Sequence, residues 1–121
     1  MPIREVLVVD DSKTESLSLA RLLQSHGFSV RTADSADDAM GCLAQRQPDL
    51  ILLDVVMPGR NGFQLARSLA RDPLYAGVPI ILCTSKNQET DRIWGLRQGA
   101  RDFIVKPVDP AILLAKIAAL G

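Results

Sequence analysis

Short apolar runs alternate with helix-like stretches of roughly ten to fourteen residues along the whole chain, and that alternation demands βα units around a parallel sheet. The runs predict strands over Glu5–Val9, Ser29–Thr32, Asp49–Asp54, Pro79–Thr84 and Arg101–Val105. The third and fourth are nearly continuous in Ile, Leu and Val, as expected of strands covered on both faces. Between them, Leu19, Leu22 and Leu23 make one stripe of a first helix over Lys13–Ser25, stopped by Gly27. Ser35 is a suitable N-cap for a second helix that repeats Ala36, Ala39, Met40 and Leu43 at helical spacing. A third follows Asn61-Gly62, uses Leu65 and Leu69, and ends before Asp72-Pro73. A fourth spans Gln88–Gln98, uses Ile93 and Leu96, and stops at Gly99. The fifth starts at Asp109-Pro110, a cap with proline at the first helical position, and buries some of Leu113, Ile117 and Leu120. The expected class is α/β, a doubly wound five-stranded parallel sheet.

With 121 residues, 47% of them hydrophobic, the chain suits one globular domain spanning residues 1–121. Fourteen basic and fourteen acidic residues balance, so the electrostatic footprint of a nucleic-acid binder is missing. The N-terminus lacks the layout of a signal peptide, and no apolar run has the length to span a bilayer. A cytoplasmic location is expected. Cys42 and Cys83 lack CxxC spacing and read as small apolar residues in a reducing compartment.

In open parallel sheets, chemistry gathers at the carboxyl ends of the strands. Four of the runs end there in polar side chains: Asp10-Asp11, Asp54, Thr84 and Lys106. Three carboxylates brought together repel one another in a low dielectric, and a divalent cation relieves that repulsion. Mg²⁺ suits such a site, since it takes oxygen ligands and needs only one or two carboxylates beside phosphate oxygens. A carboxylate such as Asp54 can also attack phosphorus. The Thr84 hydroxyl and the Lys106 ammonium can bond phosphoryl oxygens. Each residue has a plainer role open to it: Asp11 or Ser12 as a helix cap, Asp54 as a solvated strand end like Asp49, Thr84 and Lys106 as ordinary strand ends. Pro58-Gly59 and Gly62 allow a tight path over the site. The Lys106-Pro107 bond is a candidate for the cis isomer.

The joint placement of Asp10-Asp11, Asp54 in LLDVVMPGRNG, Thr84 and Lys106-Pro107 resembles a response-regulator receiver domain over essentially the whole chain. The resemblance implies a CheY-like, flavodoxin-type (βα)₅ fold with strand order 2-1-3-4-5. It implies Asp54 as phosphoacceptor from a CheA-like histidine kinase. Asp11 and Asp54 would hold Mg²⁺ with the backbone carbonyl of Val56, and Asp10 would act largely through water. Thr84 and Lys106 would hold the phosphoryl oxygens. Thr84 and the aromatic on the last strand, here Phe103, would form the switch, with plain core packing the other reading of Phe103. His26, at the end of the first helix, does not read as a phosphohistidine.

The stretch TSKNQETDRIWGLRQGARDFIVKP is similar to stand-alone receivers of chemotaxis-like systems that control type IV pili and twitching motility. Trp94 beside Gly95 is either a partner contact or a core cover. The resemblance implies a monomer without an output domain, acting on a protein target through the fourth-helix and fifth-strand face, with no enzyme activity beyond self-dephosphorylation. Val56 and Lys86 are the variable residues bearing on that rate. A phosphate sink for a shared kinase and an unphosphorylated docking receiver are the alternatives. A haloacid-dehalogenase-type phosphatase fits less well, because Val56 stands where its second acid belongs.

Overall fold

The computed structural model describes residues 3–57, 61–84 and 89–120, and the side chains of residues 89–92 lie outside that description. Five strands and five helices alternate: β1 Glu5–Val9, α1 Lys13–Ser25, β2 Ser29–Ala33, α2 Ala36–Gln45, β3 Leu50–Asp54, α3 Gly62–Arg71, β4 Ile80–Thr84, α4 Glu89–Arg97, β5 Asp102–Val105 and α5 Pro110–Leu120. The strands form one parallel sheet in the order β2-β1-β3-β4-β5. The expected class and order both hold, and element bounds move by a residue or so. The Pro58-Gly59 turn, Lys86 and the expected helix start at Gln88 fall outside the described residues.

Strand periodicity divides the core in two. Leu7, Val9, Ile51, Leu53, Leu82 and Phe103 face α2 and α3. Val6, Val8, Leu50, Leu52, Ile81 and Ile104 face α1 and α5. Adjacent strand residues point to opposite faces, so a continuous Leu-Ile-Leu-Leu run serves both layers. Leu50, Leu53, Ile81 and Leu82 are fully buried. Each contributes on the order of 1.5–3 kcal/mol by leaving water.

Local chemistry closes the helix ends. Ser12 caps α1, its hydroxyl accepting from the Glu15 N–H. Ser35 caps α2 in the same way. Asn61 and Gln64 form a reciprocal capping box at the start of α3. The Asp109 carboxylate accepts the Ala111 N–H at the start of α5.

The fourth helix departs from expectation. Ile93 and Leu96 are exposed, and the buried position is Gly95. A Cβ built on Gly95 would stand 2.6 Å from a Leu82 methyl and 3.2 Å from the Phe63 ring. The missing side chain lets the helix backbone lie directly on the sheet, which turns its larger neighbours outward. Trp94 is 50% exposed and belongs to neither core cluster, so it does not cover the core.

Candidate functional site

Parallel register assembles the site. Val9 lies opposite Leu53, Asp54 opposite Cys83, and Thr84 opposite Val105. One step beyond these pairs, Asp10 comes beside Asp54, and Lys106 follows the last pair. Asp10, Asp54 and Thr84 are buried, whereas Asp11 is exposed. One carboxylate oxygen from each of Asp10, Asp11 and Asp54 lies within 4.8 Å of the others.

The ammonium of Lys106 reaches into this cluster, 2.8 Å from Asp10 and 3.4 Å from Asp54. It also bonds Glu15 at 2.7 Å. Glu15 carries no strand-end signal. Its position three residues after the Ser12 cap, in the first turn of α1, is what aims it at this edge. The Lys106 N–H donates to the Thr84 carbonyl at 2.7 Å, which ties the ends of β4 and β5 together. The Lys106-Pro107 peptide is cis, as the sequence suggested.

Asp10 and Asp11 play different parts. One Asp10 oxygen accepts the Ser12 N–H at 2.9 Å and the other accepts from Lys106. Asp11 makes no hydrogen bond or ion pair among the described residues, and Ser12, not Asp11, caps α1. Asp49 differs from Asp54 in kind: its carboxylate takes the Arg4 and Glu5 N–H groups, each at 3.0 Å, and is a backbone clamp.

Burial pushes the Asp54 carboxyl above its ordinary value of 3.8. The Lys106 charge opposes the rise, the Asp10 charge adds to it, and a Val56 backbone hydrogen bond opposes it. Burial by itself would lower Lys106, but its hydrogen bonds to Asp10 and Glu15 and the Asp54 charge outweigh that and push it up. Burial likewise pushes the Cys83 thiol up to about 12, which keeps it a protonated core residue.

Gly62 shapes the approach to Asp54. Its N–H donates to the Val55 carbonyl at 2.8 Å, and a Cβ there would stand 2.8 Å from the Val55 Cα and collide with the Asp54 carbonyl. Only a residue without a side chain lets α3 begin this close to the end of β3.

Three acids thus bond one ammonium while Asp11 stands beside them unpaired among the described residues, and the unmatched charge is negative. All-oxygen donors with one member open to solvent fit a small hard cation that keeps several waters. The arrangement suits Mg²⁺.

The profile of the response regulator receiver domain matches residues 6–118. The chain belongs to the response regulator receiver family. It is 47% identical to the protein PilH of Pseudomonas aeruginosa over 95% of each chain. It is 39% identical to the phosphate regulon transcriptional regulatory protein PhoB of the same species, over 97% of this chain but 51% of PhoB. Chemotaxis protein CheY4 of Vibrio cholerae superimposes with a TM-score of 0.91 at 28% identity, over 98% of this chain and 99% of the other.

Receiver domains bind Mg²⁺ at an acidic pocket, and Asp10, Asp11 and Asp54 form an acidic cluster here. As a family, receivers are phosphoacceptors that meet histidine kinases and downstream targets. Phe103 of this receiver is 8% exposed and packs inward against the face that carries Leu82. His26 lies at the far end of α1, where its ring bonds the Leu22 carbonyl. Among the described residues, no helix is long and apolar enough to cross a membrane.

Proposed function

We propose that Asp54 is the phosphoacceptor of a two-component phosphorelay. The observation that carries the reading is its carboxylate, buried beside Asp10 and Asp11 with Lys106 at 3.4 Å. A carboxylate oxygen of Asp54 forms the bond to phosphorus as the P–N bond of a kinase phosphohistidine breaks and the leaving imidazole takes up a proton. Such transfer asks a protein mainly for positioning and charge neutralisation. Asp11 and Asp54, with the Val56 carbonyl, would hold Mg²⁺, and Asp10 would contribute its charge from beside them. The ion, when bound, supplies positive charge to the phosphoryl oxygens. Lys106 and the Thr84 hydroxyl hold those oxygens from the protein side, and Lys106 leaves Asp54 to do so. Phe103 answers movement of Thr84, since its strand pairs directly with β4.

The unit at work is the single receiver, acting in the cytoplasm as a monomer through protein contacts, with self-dephosphorylation as its only turnover. The similarity to PilH, over 95% of both chains, supports a stand-alone role in a chemotaxis-like system with a CheA-like kinase, controlling type IV pilus twitching. Its target would meet the α4–β5 face. The test is incubation with Mg²⁺ and acetyl phosphate followed by intact mass. One added phosphoryl group is expected, absent in Asp54→Asn. An unlabelled chain at saturating donor would leave a docking receiver in its place.

A further inference from the structure

The C-terminal halves of α3 and α4 leave an open groove of about 390 Å³ between them. It lies at the opposite end of α3 from Gly62, and none of the carboxylate-site residues line it. Its floor is made where Gly99, at a φ of 102°, lets the end of α4 close on Ala70. Arg67 and Arg71 rise from α3, and Arg97 and Trp94 from α4. No acid lines it.

Two features of this groove are unfavourable in the isolated chain. Three guanidinium groups face one volume, and none forms an ion pair or hydrogen bond among the described residues. Elsewhere Arg46 pairs with Glu5, and Arg31 bonds backbone carbonyls. The chain as a whole is neutral, so this is a segregated cluster and not a general excess. Beside it Trp94 leaves half its surface in water, because the contact of Gly95 with the sheet turns its neighbour out. An apolar group on the indole and carboxylates on the arginines would relieve both at once.

We propose that the α3–α4 groove docks an acidic segment of a partner protein, with an apolar side chain seated on Trp94 and flanking carboxylates paired to Arg67, Arg71 and Arg97. Guanidinium groups are weakly hydrated and match carboxylates in a two-pronged geometry. Arginine and tryptophan are also the side chains that dominate binding hot spots. A nucleotide would share the charge preference. However, small-ligand sites enclose most of their ligand, and here the three arginines and Trp94 are all exposed. A protein segment laid along the groove brings the missing wall with it. This docking does not depend on Asp54 as phosphoacceptor.

The chain holds a single tryptophan, so its fluorescence reports on this groove alone. A display library of random dodecapeptides selected on the whole protein supplies the probe. Enrichment of acidic peptides with an aromatic or aliphatic residue is expected. The selected peptides should shift Trp94 emission, bind about tenfold more weakly to Arg67→Glu and to Arg97→Glu, and weaken with salt. Affinity should be unchanged in Asp54→Asn, which separates this site from the phosphoacceptor reading. Circular dichroism of the two charge-reversed variants should match the parent, as both residues are exposed. A pool without acidic enrichment, or peptides that bind Arg67→Glu equally well, overturns the proposal. So does ATP shifting Trp94 emission and displacing the peptides at lower concentration, which makes the groove a nucleotide site.

Discussion

The Lys106 ammonium lies 2.8 Å from the Asp10 carboxylate, and that lysine side chain is only 11% exposed. The pair joins the first and last strands' ends across β3 and β4, through residues 96 positions apart. The same ammonium is the only positive charge bonded to Asp54 among the described residues. In the metal-free protein, Lys106 therefore offsets the repulsion between the Asp10 and Asp54 carboxylates and holds them together.

Lys106→Met keeps the length of the side chain and removes the charge. Two buried carboxylates then lose their cation, and breaking such a pair from one side costs about 3–5 kcal/mol. Glu15 is exposed and loses little. Urea unfolding at pH 7 without divalent cations should show most of that loss, and Mg²⁺ should restore part of it. Lys106 binds its proton more tightly folded than unfolded. Its contribution is therefore complete below its unfolded value of 10.5 and is lost as pH rises through the folded value. A variant as stable as the parent would mean that the pair adds nothing.

Asp54→Asn should stabilise the metal-free protein. Burial raises the folded value of Asp54 above 3.8, so folding favours its protonated form. Its contribution is complete below 3.8 and is lost as pH rises through the folded value. The asparagine variant should match the parent at pH 3 and melt higher at pH 7, and the difference should open over the window that starts at 3.8. Thermal melts in EDTA across that range check this.

Asp11→Asn tests the metal set. Asp11 is exposed and makes no bond among the described residues, so its removal should leave the melting temperature in EDTA unchanged or slightly raised. The parent should gain stability as Mg²⁺ rises above its dissociation constant, and the variant should need roughly tenfold more ion for the same gain. An unaltered Mg²⁺ response would remove Asp11 from the ligands.

Gly62→Ala sets a methyl against the backbone of Asp54 and Val55. Backbone cannot step aside as a side-chain end can, so α3 must shift. A loss of about 1–3 kcal/mol is expected, the usual range for overpacking. Phosphoryl uptake from acetyl phosphate should fall with it, because the Gly62 bond to Val55 fixes the path beyond Asp54.

Gly95→Ala opposes two effects. Alanine is better in a helix by about 1 kcal/mol. The new methyl, however, meets Leu82 at 2.6 Å in a fully buried layer. Steric displacement should win, lowering the melting temperature and shifting Trp94 emission as α4 lifts. A higher melting temperature would show that the close approach is unimportant.

Much of this molecule is written locally. Periods of two and 3.6 in the apolar pattern define the strands and helices, and Ser35, Asn61 and Asp109-Pro110 mark helix starts through their own side chains. Parallel strands with residues such as Asp10, Asp54, Thr84 and Lys106 at their carboxyl ends must bring them to one edge, so their meeting is legible in the sequence. The fourth helix is the exception: Ile93 and Leu96 carry the helical period, yet both are exposed. The burial of Gly95 depends on Leu82 and Phe63, which are distant in sequence.

The same division runs through the site. Apolar periodicity and strand-end residues determined the sheet and which acids meet, because both follow from the backbone repeat. Tertiary structure alone decided that Ser12 and not Asp11 caps α1, that Glu15 joins Lys106, and that Gly62 admits α3 against Asp54. It alone placed Trp94 beside three arginines. These are contacts between elements, set by register and by how closely two backbones can approach, and no local run of residues encodes that distance.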